Sequence, residues 1–448
     1  MINLFENYTH SEVLLEDSLN QAGYENPTVV LNDDGYLPVH VTSPIGFFTG
    51  MDSIKSSLGF SPKFFNEISV PYYWEIIGDG AVAEIFEGYK KKGVINYNTR
   101  YGDSRFVESV EWLNDEERLR SVDLYNQNGK CFGKRTYSDG ELTLTSYFDD
   151  NHREVILINH IVGTIQVDYQ NKNYIFTSFE DFVLFYFEVS QVEVNHIFYN
   201  SLGVPFFISN ALKARTPNNN YNHTLFWQEL SQVIPGNMKS ILEDVKSPTK
   251  HIIVQDRAEY ERIKHEVSLS TETKISYLGY LYRIKIRTLF DPSILIVTNS
   301  DQIAQIEELI ELLPGYQFLI SARTEMSQVL RNLNQYSNVQ LYPQGTEKEI
   351  EGLIDRSSIY LDVNYGKEVG NILWKAFENN LLLLTFNETA HNKRVIDKKN
   401  CFDLSDVKSL SDKLNRILID QTTYFEYLNE QQISVGQVSL EDYREVLQ

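Results

Sequence analysis

Hydrophobic and polar positions follow two different periods along this chain, and the change of period divides it. Near the start, Val13, Leu14, Leu15 and Leu19 recur at helical spacing, and Thr9 with Glu12 ahead of them predicts a capping box. The helix is expected to end near Gly23. TVVL at 28–31 reads as a short buried strand, followed by a turn at Asp33, Asp34 and Gly35. From 71 to 177 the period becomes two, in a stretch rich in Tyr, Phe, Val, Ile and Thr with closely spaced turn signals. Asn128 with Gly129, and Asp139 with Gly140, supply the positive φ angles of two-residue hairpins. In 141–148, Leu142, Leu144 and Phe148 are expected on one face, opposite Glu141, Thr143 and Thr145. In 164–169, Ile165, Val167 and Tyr169 alternate with Thr164, Gln166 and Asp168. The pattern predicts an antiparallel meander of roughly eight strands, apolar on one face and wet on the other. Its edges need covering. The apolar face either packs on its own domain or docks another subunit.

A helical period returns at Ser178, with Ser178 and Asp181 flanking the start of a helix through Phe187. A strand near 194–199, a strand-like VPFFIS at 204–209, a polar loop TPNNNYNH at 216–223 and a helix ending near Asp244 follow. KSPTK at 246–250 reads as a linker. Beyond it, apolar runs alternate with amphipathic helices: HIIVQ, ILIVTN, FLISA, VQLYP, IYLDV and LLLLTF. Such alternation predicts a parallel sheet covered on both faces, with ligands at the carboxyl ends of its strands. The fold class is α/β. Two Rossmann-like halves joined by a short linker resemble the GT-B glycosyltransferases, here with a large antiparallel β-meander inserted in the first half. The expected divisions are 1–70 and 178–245 for the first Rossmann-like domain, 71–177 for the insert, and 246–448 for the second domain with C-terminal helices.

Composition narrows the function. The 448 residues are 42% apolar, enough for two or three cores, and the formal charge of −22 argues against binding nucleic acid. Cys131 and Cys401 lie far apart and outside any CxxC, which fits a reducing compartment. The start lacks the pattern of a signal peptide, and no apolar run approaches the roughly 20 residues needed to cross a bilayer. The nine histidines form no HExxH, no GxGxxG follows a strand, and no Walker A motif occurs. Neither a metal nor a cofactor is expected.

The informative segment is LDVNYGKEVGNILWKAFENNLLLLTF at 361–386. In retaining GT-B enzymes the equivalent strand, loop and helix carry two glutamates, one at the donor sugar and one at the nucleotide ribose. Between them, backbone N–H groups at a helix N-terminus hold the diphosphate. Aligned on Ala376, this chain has Lys375 at the ribose position and Lys367 at the sugar position. Asn380 replaces a later glycine, and Glu368 stands one position out of register. A carboxylate accepts two ribose hydroxyls, whereas an ammonium only donates. Tyr365, Gly366, Lys367, Glu368, Val369, Gly370 and Lys375 therefore form a degenerate donor-site loop, with no catalytic residue. The loop after the first strand of the second half offers no Arg–Lys pair for a leaving diphosphate; Arg257 and Arg262 are placed on a solvated helix face. His391, in the loop after LLLLTF, is a candidate for an acceptor cleft.

The opening MINLFENYTHSEVLLEDSLNQAGYENPTVVLNDDGYLP, the inserted β-rich block and NYGKEVGNILWKAFENNLLLLTF together resemble the stabilising, non-catalytic subunit of the O-GlcNAc transferase acting on serine-rich repeat adhesins of Gram-positive cocci. The resemblance covers essentially the whole chain. It implies a catalytic partner of the same architecture, joined in a heterotetramer through the inserted β-domain. It also implies a share in holding the serine- and threonine-rich adhesin polypeptide before its export by the accessory Sec system. The expected location is cytoplasmic, peripheral at the inner face of the cell membrane. Two other readings are an active retaining GT-B transferase using a UDP-sugar, and a self-contained carbohydrate- or peptide-binding protein.

Overall fold

The computed structural model describes residues 1–78, 82–98, 104–267 and 274–447, with the side chains of 55–58 also left out. The described residues form three sheets. A seven-stranded sheet runs, in spatial order, Ile275–Tyr277, Thr249–Val254, His223–Trp227, Ile197–Tyr199, Ile2–Phe5, Thr28–Val30 and Val41–Thr42. Every neighbouring pair in it is parallel. The sequence order reverses between Ile2–Phe5 and Ile197–Tyr199, which makes that junction a switch point. The predicted capping box at Thr9 and Glu12 opens the helix His10–Gln21.

A ten-stranded antiparallel meander, Trp74–Gly78 through Lys172–Phe176, is inserted between Val41–Thr42 and Ile197–Tyr199. It has ten strands where the sequence suggested about eight. Bulges interrupt the register at several places, including between Leu142 and Leu144 and between Tyr147 and Phe148. These reset the alternation, so Thr145 and Tyr147 are the buried residues of Glu141–Phe148, and Leu144 and Phe148 are only half-buried. In Thr164–Tyr169 the expected pattern holds, with Ile165 and Val167 buried and Gln166 exposed. Asp139 and Gly140 both take positive φ in a two-residue hairpin, whereas at Asn128 and Gly129 only Gly129 does. There the Asn126 side chain accepts from the N–H groups of Asn128 and Lys130, closing a longer loop.

The face question resolves by halves. Val122, Leu124, Phe132, Tyr147, Ile156, Ile165 and Val167 share one core with the seven-stranded sheet. Phe48 of Pro44–Thr49 stacks there on Phe185 of Phe179–Ser190, both meet Tyr169 edge-on, and Phe182 and Phe185 lie tilted against Phe176. At the other half, Ile85, Ile95, Val107 and Val110 pack in a smaller core with Ile68.

Two sequence expectations are corrected. VPFFIS is not a strand but the start of the helix Val204–Arg215: Pro205 at the first turn presets a helical φ and tolerates the missing N–H. KSPTK is not a domain boundary: Thr249–Val254 pairs with His223–Trp227, and residues up to Gly279, with Leu440–Gln448, belong to the first compact unit. The second unit is Tyr280–Ser439. Its six strands are all parallel, in the order Val339–Tyr342, Gln317–Ala322, Ser293–Thr298, Ile359–Asp362, Leu382–Phe386 and Cys401–Phe402. Its switch point lies between Ser293–Thr298 and Ile359–Asp362, so the loops at 299–305 and 363–371 flank the position where an open α/β sheet binds ligands.

Candidate functional site

Both switch-point loops of the second unit are tied to each other by polar side chains. Asn364 is buried. Its Oδ1 accepts from Thr298 Oγ1 at 2.8 Å and from the Gly366 N–H at 2.8 Å, and its Nδ2 donates to the Lys367 carbonyl at 3.3 Å. The Tyr365 N–H donates to the Gln302 carbonyl at 3.1 Å. A Cβ on Gly366 would stand 2.0 Å from Asn299 Oδ1, so a larger residue there displaces the Asn299 side chain from the contact between the loops. The segment following the first strand reads Asn299, Ser300, Asp301, Gln302 and contains neither Arg nor Lys. Topology makes Ser293–Thr298 the first strand of this sheet, which identifies this segment as the loop after the first strand of the second unit.

Gly370 and Asn371 both take positive φ and lead into the helix Ile372–Glu378. In an enzyme of this fold the first N–H groups of that helix would face the diphosphate. Here Glu368 turns back and its Oε1 accepts from the Leu373 N–H at 3.1 Å. Burial, then the nearby Asp362, push the Glu368 carboxyl above the usual carboxylate range. Lys375 does not reach toward a ribose site; its Nζ pairs with Glu347 Oε1 at 2.6 Å. That bond, ahead of the simple attraction of the charge, holds the Glu347 carboxyl low. Lys367 and Tyr365 are exposed and Val369 is half-buried. Ala376 is fully buried under the sheet, and Asn380 takes the left-handed conformation that a glycine would otherwise supply.

His391 is spent on the loop itself. Its Nδ1 lies 2.6 Å from Asp362 Oδ1, its backbone N–H donates to Asp362 Oδ2 at 2.8 Å, and its Nε2 lies 2.5 Å from the Gly366 carbonyl. Both ring nitrogens thus face acceptors, which favours the imidazolium. The Asp362 hydrogen bond, opposed by burial and helped by the Gly366 carbonyl, raises the His391 pKa to about 9. Sequence reasoning found the residue but not this role, because Asp362 and His391 meet only through the fold. Arg257 is on a solvated face, as expected, whereas Arg262 is half-buried. Arg257 lies over the Tyr277 ring at 4.8 Å, and Arg262 grips Glu259 with Nε at 2.9 Å and Nη2 at 2.7 Å. No group of three His, Cys, Asp or Glu that could hold a metal occurs among the described residues.

Arranged this way, Glu368, Lys375 and His391 are each engaged by groups of this chain. Four family models match in succession: the GtfB N-terminal domain at 2–48, the GtfB middle domain at 74–177, the GtfB third domain at 180–265 and the GftB/GlyA-F C-terminal domain at 294–431. The UDP-N-acetylglucosamine–peptide N-acetylglucosaminyltransferase stabilizing protein GtfB of Streptococcus parasanguinis is 38% identical over 452 residues, covering 100% of this chain and 99% of the relative. Its counterpart in Streptococcus gordonii is 36% identical, covering 100% and 98%. A chain in a crystal structure of a GtfA/B complex bound to UDP and GlcNAc superposes with a TM-score of 0.91 at 36% identity, over 100% of this chain and 99% of that one. The accessory secretory proteins 1, 2 and 3 of Streptococcus pneumoniae share the fold at a TM-score of 0.63 and 12% identity, over 99% and 93%. Matched over its full length by these relatives and by four successive family models, the chain belongs to the GtfB family, the stabilizing proteins of UDP-N-acetylglucosamine–peptide N-acetylglucosaminyltransferases.

Proposed function

We propose that this chain binds and stabilises a catalytic O-GlcNAc transferase subunit through its inserted β-domain, and helps hold the serine/threonine-rich adhesin polypeptide that receives its first GlcNAc. The observation that carries the non-catalytic part is Glu368 seated on the Leu373 N–H, where an enzyme would place the donor diphosphate. An active transferase would need that position empty and a carboxylate where Lys375 stands.

What supports docking through the meander is its outer corner. Trp74 pairs with Glu87, which brings Tyr72 and Tyr73 to the same corner as Tyr89. These three tyrosines are 95%, 82% and 91% exposed, and Ile77 on the adjoining edge strand is also exposed. Large exposed aromatics beside an unpaired strand edge are what a partner subunit covers. Work at the inner face of the membrane would be peripheral, since no described helix is long and apolar enough to cross a bilayer.

Calorimetric titration with UDP-N-acetylglucosamine, with thermal unfolding followed in parallel, tests the first part. No heat and no stabilisation are expected at millimolar donor; tight binding with a raised Tm overturns the reading. Co-purification with the catalytic subunit tests the second. Replacing Tyr72, Tyr73 and Tyr89 by Ala is expected to weaken assembly at least tenfold, on the order of the loss of one interface anchor, while leaving this chain folded.

A further inference from the structure

The carboxyl edge of the seven-stranded sheet carries a polar feature that stabilising a partner does not use. Three amides follow adjacent parallel strands there: Gln255 after Thr249–Val254, Gln228 after His223–Trp227 and Asn200 after Ile197–Tyr199. Trp227 and Val254 are register partners, and the Gln255 N–H donates to the Trp227 carbonyl at 3.0 Å, so Gln228 and Gln255 leave the sheet side by side. Asn200 Nδ2 donates to Gln228 Oε1 at 2.8 Å and to Glu12 Oε1 at 2.6 Å. The row is incomplete. Gln255 is 3% exposed, and among the described residues neither its Nε2 nor its Oε1 has a hydrogen-bond partner; Asn200 is 8% exposed and its Oδ1 has none among them. Buried amides without partners are strongly disfavoured, and these sit where parallel sheets take their ligands.

Beside the row, the loop at 228–235 presents Leu230 and Val233, 73% and 68% exposed. It is held rigidly. Ser231 Oγ donates to Glu259 Oε1 at 2.6 Å, Arg262 Nη2 donates to Ser231 Oγ at 2.7 Å, and Trp227 Nε1 donates to Glu259 Oε1 at 3.3 Å. A buried carboxylate and its arginine are thus committed to fixing a loop whose apolar side chains stay in solvent.

We propose that this edge binds an extended, uncharged stretch of polypeptide, with the Gln255 and Asn200 amides on its polar groups and Leu230 and Val233 against its side-chain methyls. Gln255 offers a donor and an acceptor together, which is what a backbone peptide group or a serine or threonine hydroxyl satisfies. Glu6, Glu12 and Glu229 border the row, so phosphate and nucleotide are disfavoured. The proposal rests on the reading that this chain helps hold the acceptor and gives that role a place within the first unit.

The test uses a fluorescently labelled, unglycosylated Ser/Thr-rich peptide of about 20 residues, followed by anisotropy with the full chain, alone and co-purified with the catalytic subunit. Gln255→Met keeps the shape and removes both unpaired groups. It is expected to raise the Tm and to weaken peptide binding roughly tenfold, the equivalent of one or two lost hydrogen bonds. Leu230→Asp, on the exposed loop, leaves folding intact and is expected to weaken the peptide as well. Neither variant should lose the catalytic subunit. A Gln255→Met chain that gains stability with unchanged peptide affinity shows that the amide holds only water, and overturns the proposal. Competition by free N-acetylglucosamine that Gln255→Met abolishes makes the site a saccharide site and overturns it too. If the unaltered chain assembles with its partner but binds no peptide, both this proposal and the acceptor reading fall, while the stabilising role stands.

Discussion

At the scale of single residues, the loop at 363–371 is held by contacts within the chain. Gly366 is its tightest point. Gly366→Ala forces a methyl onto Asn299 and is expected to cost about 1–3 kcal/mol by chemical denaturation, the range for overpacking. Gly370→Ala meets no neighbour within 4 Å and is penalised only by its φ of +55°, about 1–2 kcal/mol. The sequence singled out Lys367 and Lys375 as lysines where the resembled enzymes carry carboxylates; in the fold Lys367 is exposed and Lys375 pairs with Glu347, a partner that the sequence did not indicate. Glu368 read there as a register slip. Its real role, capping Leu373, depends on the left-handed turn at Gly370 and Asn371, which spacing alone does not specify. His391 was legible as a nearby polar residue but not as the clamp between Asp362 and Gly366, because that pairing spans 29 positions and exists only once two strands lie in one sheet.

At the scale of elements, the alternating apolar runs announced the second sheet correctly, since strands buried on both faces leave continuous hydrophobic segments. The failures are equally physical. VPFFIS is as apolar as a buried strand, and periodicity cannot separate six such residues from a buried helix. HIIVQ has the same composition in either sheet; its pairing with His223–Trp227 is a long-range choice that the KSPTK turn does not reveal. Bulges in the meander shift the inward face partway along a strand, which no fixed period of two anticipates. How the elements of the second unit lock together gives a further prediction. Arg287 donates to three backbone carbonyls, Asn379 at 2.5 Å, Ser357 at 2.7 Å and Ile354 at 2.8 Å, at the ends of the helices Ile372–Glu378 and Glu347–Asp355. Arg287→Met keeps the packing stem and strips all three bonds. Destabilisation of about 3 kcal/mol is expected in the second unit, measured by urea denaturation. Arg287→Lys should recover only part of it, because one ammonium cannot reproduce the planar fork.

At the scale of the whole molecule, the two units have separate hydrophobic cores, one built on the seven-stranded sheet and half of the meander, the other on the six-stranded sheet with Val407–Ile419 and Thr422–Ser434. Among the shifted ionisable groups, one in each unit is tied into a hydrogen-bond network, and these two shifts have opposite consequences. In the first unit, burial would raise Glu259, but its hydrogen bonds to Arg262, Ser231 and Trp227 outweigh that and bring it down to about 2. A depressed carboxylate stabilises above its unfolded pKa near 4.5, and the gain is lost as pH falls toward 2. In the second unit, His391 is raised to about 9. A raised histidine stabilises fully below its unfolded pKa near 6.5, and the gain is lost as pH climbs through 9. Each is worth up to about 3 kcal/mol. Calorimetry should therefore resolve two unfolding transitions that respond to different limbs of the pH scale: acid lowering the first unit's transition, alkali the second's. Glu259→Gln is expected to flatten the acid limb below about 4.5, leaving the part between about 6.5 and 4 that burial of neutral His196 and His223 contributes, and His391→Gln to flatten the limb between about 6.5 and 9. A single transition moving with both limbs would mean that the cores unfold as one cooperative unit, and the variants would then flatten the same curve. Two independent transitions instead leave the donor-loop unit free to loosen without disturbing the core that carries the meander, which is the separation a stabilising subunit needs if its partner is held by one unit alone.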